Sequence, residues 1–263
     1  YDGISNEYTG LELVSQIYPK FRLVAGQIVA PKYSSNSAVA TIMETKATKI
    51  NGHFSCIALT DLDSNLLYQD VVEWKNNNNY ISTRQINCYP KVRLDEKVFH
   101  MSTQLAGLIC KTDSENYDIP YNSPSNKRMK INGICDSDGK EISLDVEQAN
   151  YLNQNGIVTA INWANGFVAW GNRTSCYPAT TDVKDSFIPI RRMFNWIGNT
   201  IVLTYWSKVD SPMTKRNIET IIDSINIWFN GLQARGFILG GNISFSEEDN
   251  NQLDLMDGIV NFR

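Results

Sequence analysis

Two runs of sequence decide the fold of this chain: Trp170-Gly171-Asn172-Arg173-Thr174, and Ile188-Pro189-Ile190-Arg191-Arg192-Met193-Phe194-Asn195-Trp196. The first run ends an apolar, strand-like segment, and the second places two adjacent arginines at the start of an apolar helix. Arginine beside amide and hydroxyl groups suits fixed hydrogen bonds to carbonyls and carboxylates, which tie backbone segments together. Neither run has the residue pattern of a catalytic site, so both predict a structural role.

The segments around these runs predict a strand hairpin and two long helices. Asn155-Gly156 predicts a turn into a strand over residues 157–163, and Asn165-Gly166 predicts a tight hairpin into a strand over residues 167–170. Ser211-Pro212 predicts the N-cap and first residue of the second helix, and Gly236 predicts its left-handed stop. Residues 243–245 and 259–262 predict closing strands. Apolar residues at helical spacing mark the two helices: Phe187, Ile190, Phe194, Ile197 and Ile201 in the first, and Ile218, Ile221, Ile222, Ile225, Phe229 and Leu232 in the second.

The first part of the chain predicts a strand, a helix and a second strand with short connections. The strands cover residues 23–30 and 54–60, and Ser37 is the predicted cap of the helix between them. This βαβ pattern predicts parallel, neighbouring strands. An earlier helix is expected to end at Pro19, and Ser102 is the predicted cap of a later one.

These elements predict an α/β chain with a mixed sheet flanked by helices, in two subdomains. Residues 1–140 hold the βαβ unit with inserted loops and strands. Residues 141–263 hold the hairpin and the two long helices on a sheet.

The two runs, together with Arg235-Gly236-Phe237-Ile238-Leu239-Gly240-Gly241, resemble the C-terminal part of contractile tail sheath proteins, which surround the tail tube of long-tailed bacteriophages and R-type pyocin-like particles. The family pattern is a Trp-Gly-Asn/Ala-Arg-Thr run, an Arg-Arg helix and a second helix ending in Gly-x-x-x-Gly. It marks nine family-motif positions: Trp170, Gly171, Asn172, Arg173, Thr174, Arg191, Arg192, Gly236 and Gly240. The resemblance continues upstream in Gly10-Leu11-Glu12-Leu13, Tyr18-Pro19-Lys20 and Ile50-Asn51-Gly52, so it covers most of the chain.

The resemblance implies a structural subunit without catalysis, cofactor or metal. Family members build a helical tube of stacked rings around an inner tube and contract when the baseplate triggers them, which drives the tube through a target cell envelope. The implied partners are further copies of the chain, the inner tail tube protein, the baseplate and the tail terminator. The implied location is a virion tail or phage tail-like particle, assembled in the cytoplasm of a bacterial host.

Terminal arms of family members add strands to the sheets of neighbouring subunits. Both arms are expected to lie outside this sequence, which predicts an exposed sheet edge and a monomer or weak oligomer. The sheath of type VI secretion systems is a near alternative. It is built from two chains, so the single-chain pattern here favours phage or pyocin-like particles.

Composition excludes several classes of function. The net charge of −4 argues against nucleic-acid binding, which needs clustered lysine and arginine side chains. The sequence contains no run of about eighteen apolar residues, so it does not predict membrane insertion. Five cysteines without CxxC spacing argue against a disulfide framework and a zinc site, and predict buried, reduced thiols. They are Cys56, Cys88, Cys110, Cys135 and Cys176.

Asp61-Leu62-Asp63-Ser64 carries an enzymatic alternative. It follows an apolar strand, and ligands of α/β sheets bind at the carboxyl ends of strands. Asp61 and Asp63 would hold Mg²⁺ and accept phosphate in a haloacid-dehalogenase-like phosphatase. The later lysine and acid pair of such an enzyme are matched only loosely, by the segment 182–185. The other interpretation is that both carboxylates cap helices or loops.

The aromatic and basic residues leave two further questions open. A surface of tryptophans would define a glycan-binding tail module, whereas their positions on apolar segments favour core or subunit packing. Arg173 is expected to be internal, with the arginines paired to acids such as Asp182 and Asp185, and the role of Arg192 stays open. The tryptophans concerned are Trp163, Trp170, Trp196, Trp206 and Trp228.

Overall fold

The computed structural model describes residues 8–164, 166–212 and 214–263. Contacts within the chain divide it into two compact units, Tyr1–Leu203 and Thr204–Arg263. The predicted α/β class with mixed sheets and flanking helices is confirmed. Within the described parts of the chain, no helix is both long and apolar enough to cross a bilayer.

The described strands and α-helices follow one another along the chain, with 3₁₀ turns at Gly10–Leu13 and Trp206–Lys208. The strands are β1 (Gln27–Val29), β2 (Ile57–Asp61), β3 (Gln85–Cys88), β4 (Lys91–Leu94), β5 (Lys97–Phe99), β6 (Gly133–Cys135), β7 (Glu141–Ile142), β8 (Ile157–Asn162) and β9 (Phe167–Trp170). The helices are α1 (Val14–Phe21), α2 (Ser37–Thr48), α3 (Asp70–Asn77), α4 (Met101–Ser114), α5 (Val146–Gln154), α6 (Val183–Ser186), α7 (Ile188–Tyr205), α8 (Lys215–Ala234) and α9 (Gln252–Met256).

The first unit is built on a five-stranded sheet in the order β1-β2-β3-β8-β9. Strands β1, β2, β3 and β8 are parallel, and β9 pairs antiparallel with β8. The predicted parallel pairing of β1 with β2 and the predicted β8–β9 hairpin are both confirmed. Asn165, half of the predicted turn signal, lies outside the described residues, whereas Gly166 has a φ of 123° and its carbonyl accepts the Trp163 N–H.

The alternation of side chains along β2 explains the layers. Ile57 and Leu59 point into a core that includes α4 and a second, antiparallel sheet in the order β5-β4-β6-β7, whereas Ala58 packs toward Met43 of α2. A third cluster places Val71 of α3 and Leu152 of α5 against Ile157 at the start of β8. The sheet is therefore covered on both faces, as the buried pattern of all five β2 residues requires.

The compact units do not coincide with the predicted division near residue 140. Strand β8 lies in the predicted second segment, yet Asn87 of β3 pairs with Ile157 of β8. Because strands from both predicted segments share one sheet, the first unit extends to Leu203.

Three helix boundaries differ from the sequence prediction. Helix α1 continues through Pro19 to Phe21, because proline removes only one hydrogen bond while the apolar stripe of the helix packs against the core. Asn36, not Ser37, caps α2, with its side chain accepting the Ala38 N–H. Thr214, not Ser211, caps α8 and accepts the Asn217 N–H.

The second unit contains α8, α9 and two irregular segments. Helix α8 ends in the predicted left-handed glycine: Gly236 has a φ of 76°, and the Phe237 N–H donates to the Leu232 carbonyl, which closes the helix end. The predicted closing strands are not regular strands. Ser244 and Arg263 nevertheless exchange two backbone hydrogen bonds of 2.8 and 2.9 Å, so the segments pair at one position.

Candidate functional site

The Trp170–Thr174 run lies where β9 leaves the sheet and holds α5 in place. The Trp170 Nε1 donates to Asn150 Oδ1 at 2.9 Å, and the Asn172 N–H donates to Asn153 Oδ1 at 3.1 Å. Both asparagines lie on α5. The run therefore fastens a helix to the end of a strand, as its composition predicts.

Glycine is required at position 171 by its conformation and by its neighbours. Its φ is 131°, and a Cβ there would lie 3.1 Å from the Val158 Cα and 3.2 Å from the Ile157 carbonyl oxygen. The backbone of β8 passes too close for any larger residue. Position 171 is thus fixed by the packing of this chain upon itself.

Thr174 and Arg173 join this strand end to the segment before α7. The Thr174 hydroxyl donates to the Asp185 carbonyl at 2.5 Å, and the Thr174 N–H donates to the Ser186 carbonyl at 3.1 Å. The Arg173 guanidinium stacks between the rings of Tyr177 and Phe187, with its Cζ 4.2 and 3.7 Å from their centroids. Arg173 is internal as predicted, but ring stacking and a hydrogen bond to the Ser186 hydroxyl hold it, not the predicted pairing with an acid.

The two arginines of α7 form separate ion pairs. Arg191 lies 2.8 Å from Asp185, the predicted kind of partner, and burial lowers the pKa of Arg191. Arg192 makes a two-pronged contact with Asp113 of α4, and both side chains are largely buried. Arg192 thus clamps α7 onto α4, a long-range pairing that its sequence neighbourhood did not reveal.

Helix α7 also buries a polar face that the apolar-stripe prediction missed. Asn195 donates to the Cys56 carbonyl at 3.1 Å, and Asn199 exchanges hydrogen bonds of 2.8 and 3.0 Å with the backbone of Ser55. Phe194, predicted to face the core, is 50% exposed, whereas Asn195 is 7% exposed. The spacing of Arg192, Asn195 and Asn199 at three and four residues is the signal that would have found this face.

The carboxylate of Asp61 lies at the carboxyl end of β2, but it is occupied by the protein itself. It accepts the Ser34 hydroxyl at 3.0 Å, the Ser102 N–H at 2.9 Å and the Ser102 hydroxyl at 2.6 Å. His100 Nδ1 lies 3.3 Å from Oδ2, while its Nε2 accepts the Lys32 N–H. Asp61 therefore caps α4 from another element. The predicted cap at Ser102 is wrong: α4 begins at Met101 with His100 in the N-cap position, and Ser102 is a donor to Asp61.

The pocket beside Asp61 does not assemble a phosphatase centre. Its volume is about 340 Å³, and Asp63 and Lys91 line it. Asp63 accepts the Asn65 N–H in a local turn, and Lys91 donates to the Ser137 hydroxyl. Over the residues that the structure describes, no group of three histidine, cysteine or acidic side chains is arranged to hold a metal ion. This geometry matches the interpretation of Asp61 and Asp63 as capping and loop acids.

The later acid pair proposed for the phosphatase is used elsewhere. Asp182 accepts the Lys184 N–H at the start of α6, and Asp185 pairs with Arg191. Neither carboxylate lines the pocket at Asp61.

Cysteines and tryptophans depart from the predicted burial at three positions. Cys110 is exposed, whereas the other four thiols are buried and burial raises the pKa of Cys56 to about 12. Trp163 and Trp206 are 58% and 54% exposed, so of the predicted core or subunit packing the core alternative is wrong for both. Each stands at the end of an element, where an apolar ring has no core layer to enter.

Gly240 lies in open space on the second unit. A Cβ there would come no closer than 3.9 Å to the Gln233 side chain, whereas one at Gly241 would lie 2.9 Å from the Phe229 ring. Gly241, and not the motif residue Gly240, is therefore the glycine that a neighbouring side chain requires.

The family-motif positions of the first unit thus form an internal brace, with Gly236 as a helix stop in the second. A brace of backbone hydrogen bonds, stacked guanidinium and ion pairs holds a fixed shape and has no exposed nucleophile or acid–base pair. The fold and this brace define an α/β chain whose motif residues hold its own strands and helices together.

Comparison with known proteins narrows the class of this α/β chain. No family model matches the chain. A tail sheath protein of Burkholderia phage BcepMu is 24% identical over 97% of this chain and 55% of its own length, and a putative prophage major tail sheath protein of Pseudomonas aeruginosa strain UCBPP-PA14 is 27% identical over 97% and 64%. The tail sheath protein of Escherichia phage P2 is 31% identical over 49% of this chain. The chain is therefore similar to tail sheath proteins along almost its whole length.

Solved structures show the same fold. The sheath complex of an extracellular contractile injection system in its contracted state aligns with a TM-score of 0.75 and 17% identity over 97% of this chain and 70% of that one. A chain from the baseplate of the anti-feeding prophage aligns with a TM-score of 0.73 and 19% identity over 96% and 67%. The chain spans between half and two thirds of the length of the first two sheath relatives.

Proposed function

We propose that this chain is a structural part of a contractile tail sheath, which polymerises around an inner tail tube and contracts to drive the tube through a target cell envelope. The observation that carries the proposal is sequence similarity to two tail sheath proteins over 97% of the chain. The sheath fold over the same span agrees with it.

The geometry of the first unit supports a role without catalysis. Its motif arginines, Arg173, Arg191 and Arg192, and the buried carboxylate of Asp61 make internal contacts, which keep the subunit rigid. A contracting lattice needs rigid subunits with two alternative packings, because the free energy that drives contraction lies in contacts between subunits. No nucleotide is required for such a change.

The proposed partners are further copies of the chain, the inner tail tube protein, the baseplate and the tail terminator. Strand addition supplies the link between copies, since main-chain hydrogen bonds hold irrespective of side chains. The pairing of Ser244 with Arg263 supports this, because it starts an antiparallel ladder that further strands can extend. The proposed location is a virion tail or phage tail-like particle, assembled in the cytoplasm of a bacterial host.

Negative-stain electron microscopy tests the proposal, with the purified protein encoded by the complete open reading frame that contains this chain. We expect striated hollow tubes or stacked rings at high protein concentration. Dispersed compact particles at every salt concentration, together with magnesium-dependent phosphatase turnover that Asp61→Asn abolishes, would overturn it.

A further inference from the structure

Charge is distributed unevenly along the chain, in two stretches of opposite sign. Residues 119–135 contain three basic residues and no acidic one, whereas residues 236–262 contain five acidic residues and no basic one. All these side chains are exposed except Asp254, which is half-buried. The bases are Lys127, Arg128 and Lys130, and the acids are Glu247, Glu248, Asp249, Asp254 and Asp257.

The basic stretch borders a groove of about 630 Å³ on the first unit, the basic groove. Its cations are Arg128, Lys130 and Lys111, and Ile131 and Phe167 contribute partly buried apolar surface. Arg128 and Lys130 have no carboxylate within 4 Å among the residues that the structure describes. The groove therefore combines uncompensated positive charge with an apolar wall.

The rim of the basic groove is held firmly on the sheet. The Asn126 N–H donates to the Ala169 carbonyl at 2.7 Å, and the Ala169 N–H donates to the Lys127 carbonyl at 3.0 Å. The Met129 N–H donates to the Phe167 carbonyl at 2.9 Å. Residues 126–129 thus run along β9, with an isolated antiparallel bridge between Arg128 and Val168, so the backbone that carries the cations is fixed.

The acidic stretch carries a surface of matching character, the acidic segment (residues 247–257). Leu253 and Met256 are 74% and 82% exposed, and their spacing of three residues places them on one side of α9. Asp254 and Asp257 adjoin them, again three residues apart. Asn251 caps α9 by accepting the Asp254 N–H, which gives this short turn a defined shape.

We propose that the acidic segment of one copy docks in the basic groove of a second copy of this chain. Leu253 and Met256 lie against the apolar wall, and the carboxylates face Arg128 and Lys130. The inference rests on the proposed sheath function, because a lattice of identical copies repeats the contact. Exposed ion pairs are individually weak and screened by salt, so a single contact is transient and the lattice sums many.

Charge reversal in the full chain tests the contact through the critical concentration for polymer formation, measured by sedimentation. Arg128→Glu/Lys130→Glu is expected to raise it at least tenfold in about 0.1 M salt, where surface charges still act over roughly 10 Å. Lys20→Glu/Lys49→Glu is the matched control, since both lysines are exposed and the charge change is the same. The control is expected to stay within twofold of the unmodified chain.

A compensating variant identifies the partner. Glu248→Lys/Asp257→Lys is expected to impair polymer formation alone, and an equimolar mixture with Arg128→Glu/Lys130→Glu is expected to restore it. Restoration in the mixture requires contact between copies. Zero-length carbodiimide cross-linking of mixed ¹⁴N- and ¹⁵N-labelled copies is expected to join Lys127 or Lys130 of one copy to residues 247–257 of the other.

The outcomes separate this inference from the function on which it rests. If the unmodified protein encoded by the complete open reading frame forms no polymer in any condition, the proposed function fails. If it polymerises and Arg128→Glu/Lys130→Glu polymerises equally well, the docking inference alone is overturned. Cross-links confined to single copies, or loss without restoration in the mixture, overturn it as well.

Discussion

The two units of the chain treat their apolar residues in opposite ways. Among the described residues, the first unit has 36 buried hydrophobic residues and 16 large hydrophobic residues exposed, whereas the second has 4 buried and 8 exposed. The first unit therefore has a core of its own. The second exposes more apolar side chains than it buries, which is the pattern of a surface that other molecules cover.

Polar groups follow the same division. In the first unit Asp61, Arg192 and Asn195 are buried and bonded within the chain. In the second unit the acidic segment leaves four of its five acidic side chains exposed to solvent. The first unit therefore keeps its shape through internal contacts, whereas the second unit leaves apolar and acidic side chains exposed.

The strongest test of this contrast is Asp61→Ala. The change leaves the Ser102 N–H and hydroxyl and the Ser34 hydroxyl without their acceptor, so we expect a loss of about 3–5 kcal/mol in the free energy of unfolding. Urea denaturation measures it. Asp63→Ala, which removes one turn hydrogen bond, is the control and is expected to cost about 1 kcal/mol. Equal stability of the two variants would contradict the capping role of Asp61.

A pair of glycines compares steric demand in the two units. Gly156 and Gly236 have similar φ values of 69° and 76°, but a Cβ at Gly156 would lie 2.6 Å from the Thr174 carbonyl oxygen and one at Gly236 meets nothing within 4 Å. We expect Gly156→Ala to cost about 3 kcal/mol and Gly236→Ala about 1 kcal/mol, the cost of the conformation alone. Thermal unfolding monitored by circular dichroism measures the stability lost by each variant. Equal losses would show that the backbone around Gly156 moves to accommodate the added Cβ.

Buried and exposed ion pairs form the next comparison. Arg192→Ala leaves Asp113 buried without its partner, and we expect a loss of about 3 kcal/mol. Lys111→Ala breaks an exposed pair with Glu115 and is expected to change stability by less than about 0.5 kcal/mol. Chemical denaturation of the two variants measures both changes in the free energy of unfolding. A loss below about 0.5 kcal/mol for Arg192→Ala would contradict a buried ion pair with Asp113.

Lys75 predicts a pH dependence of stability. It is 1% exposed on α3, and burial lowers its pKa to about 8 from an ordinary 10.5. The unfolded chain therefore binds this proton more tightly than the folded chain. The buried charge lowers the free energy of unfolding at neutral pH, and this loss of stability disappears as the pH rises from about 8 toward 10.5. We expect Lys75→Met to stabilise the first unit by about 2 kcal/mol at pH 7 and by less at pH 9.5. A constant difference across this range would exclude burial of the charge.

The smallest expected effect on stability belongs to the second unit. Leu253→Ser/Met256→Ser replaces two exposed apolar side chains, so we expect a change in unfolding free energy below about 0.5 kcal/mol. Polymer formation by the same variant is expected to fall, because the docking surface is lost. Sedimentation and urea denaturation of one preparation measure both, and a large loss of stability would show that these residues belong to a core.

Local sequence patterns predict much of the fold. The βαβ unit, the β8–β9 hairpin and the stop at Gly236 were predicted from strand periodicity, turn glycines and helix ends, all of which act over a few residues. The structural interpretation of the Trp170–Thr174 run stays a prediction, with which its hydrogen bonds to α5, about twenty residues away along the chain, agree. The predicted helix caps at Ser37 and Ser211 were wrong because several capping residues stand close together there.

The fold class, the order of most elements and the resemblance to tail sheath proteins could be read from the amino-acid sequence, because they depend on short-range periodicity and on motif residues. Three long-range contacts are visible only in the tertiary structure. Asp61 accepts the Ser102 N–H, Arg192 donates to Asp113, and Asn199 accepts the Ser55 N–H. Those partners are 41, 79 and 144 residues apart. Pairings at such separation depend on how the layers stack, which no local pattern encodes.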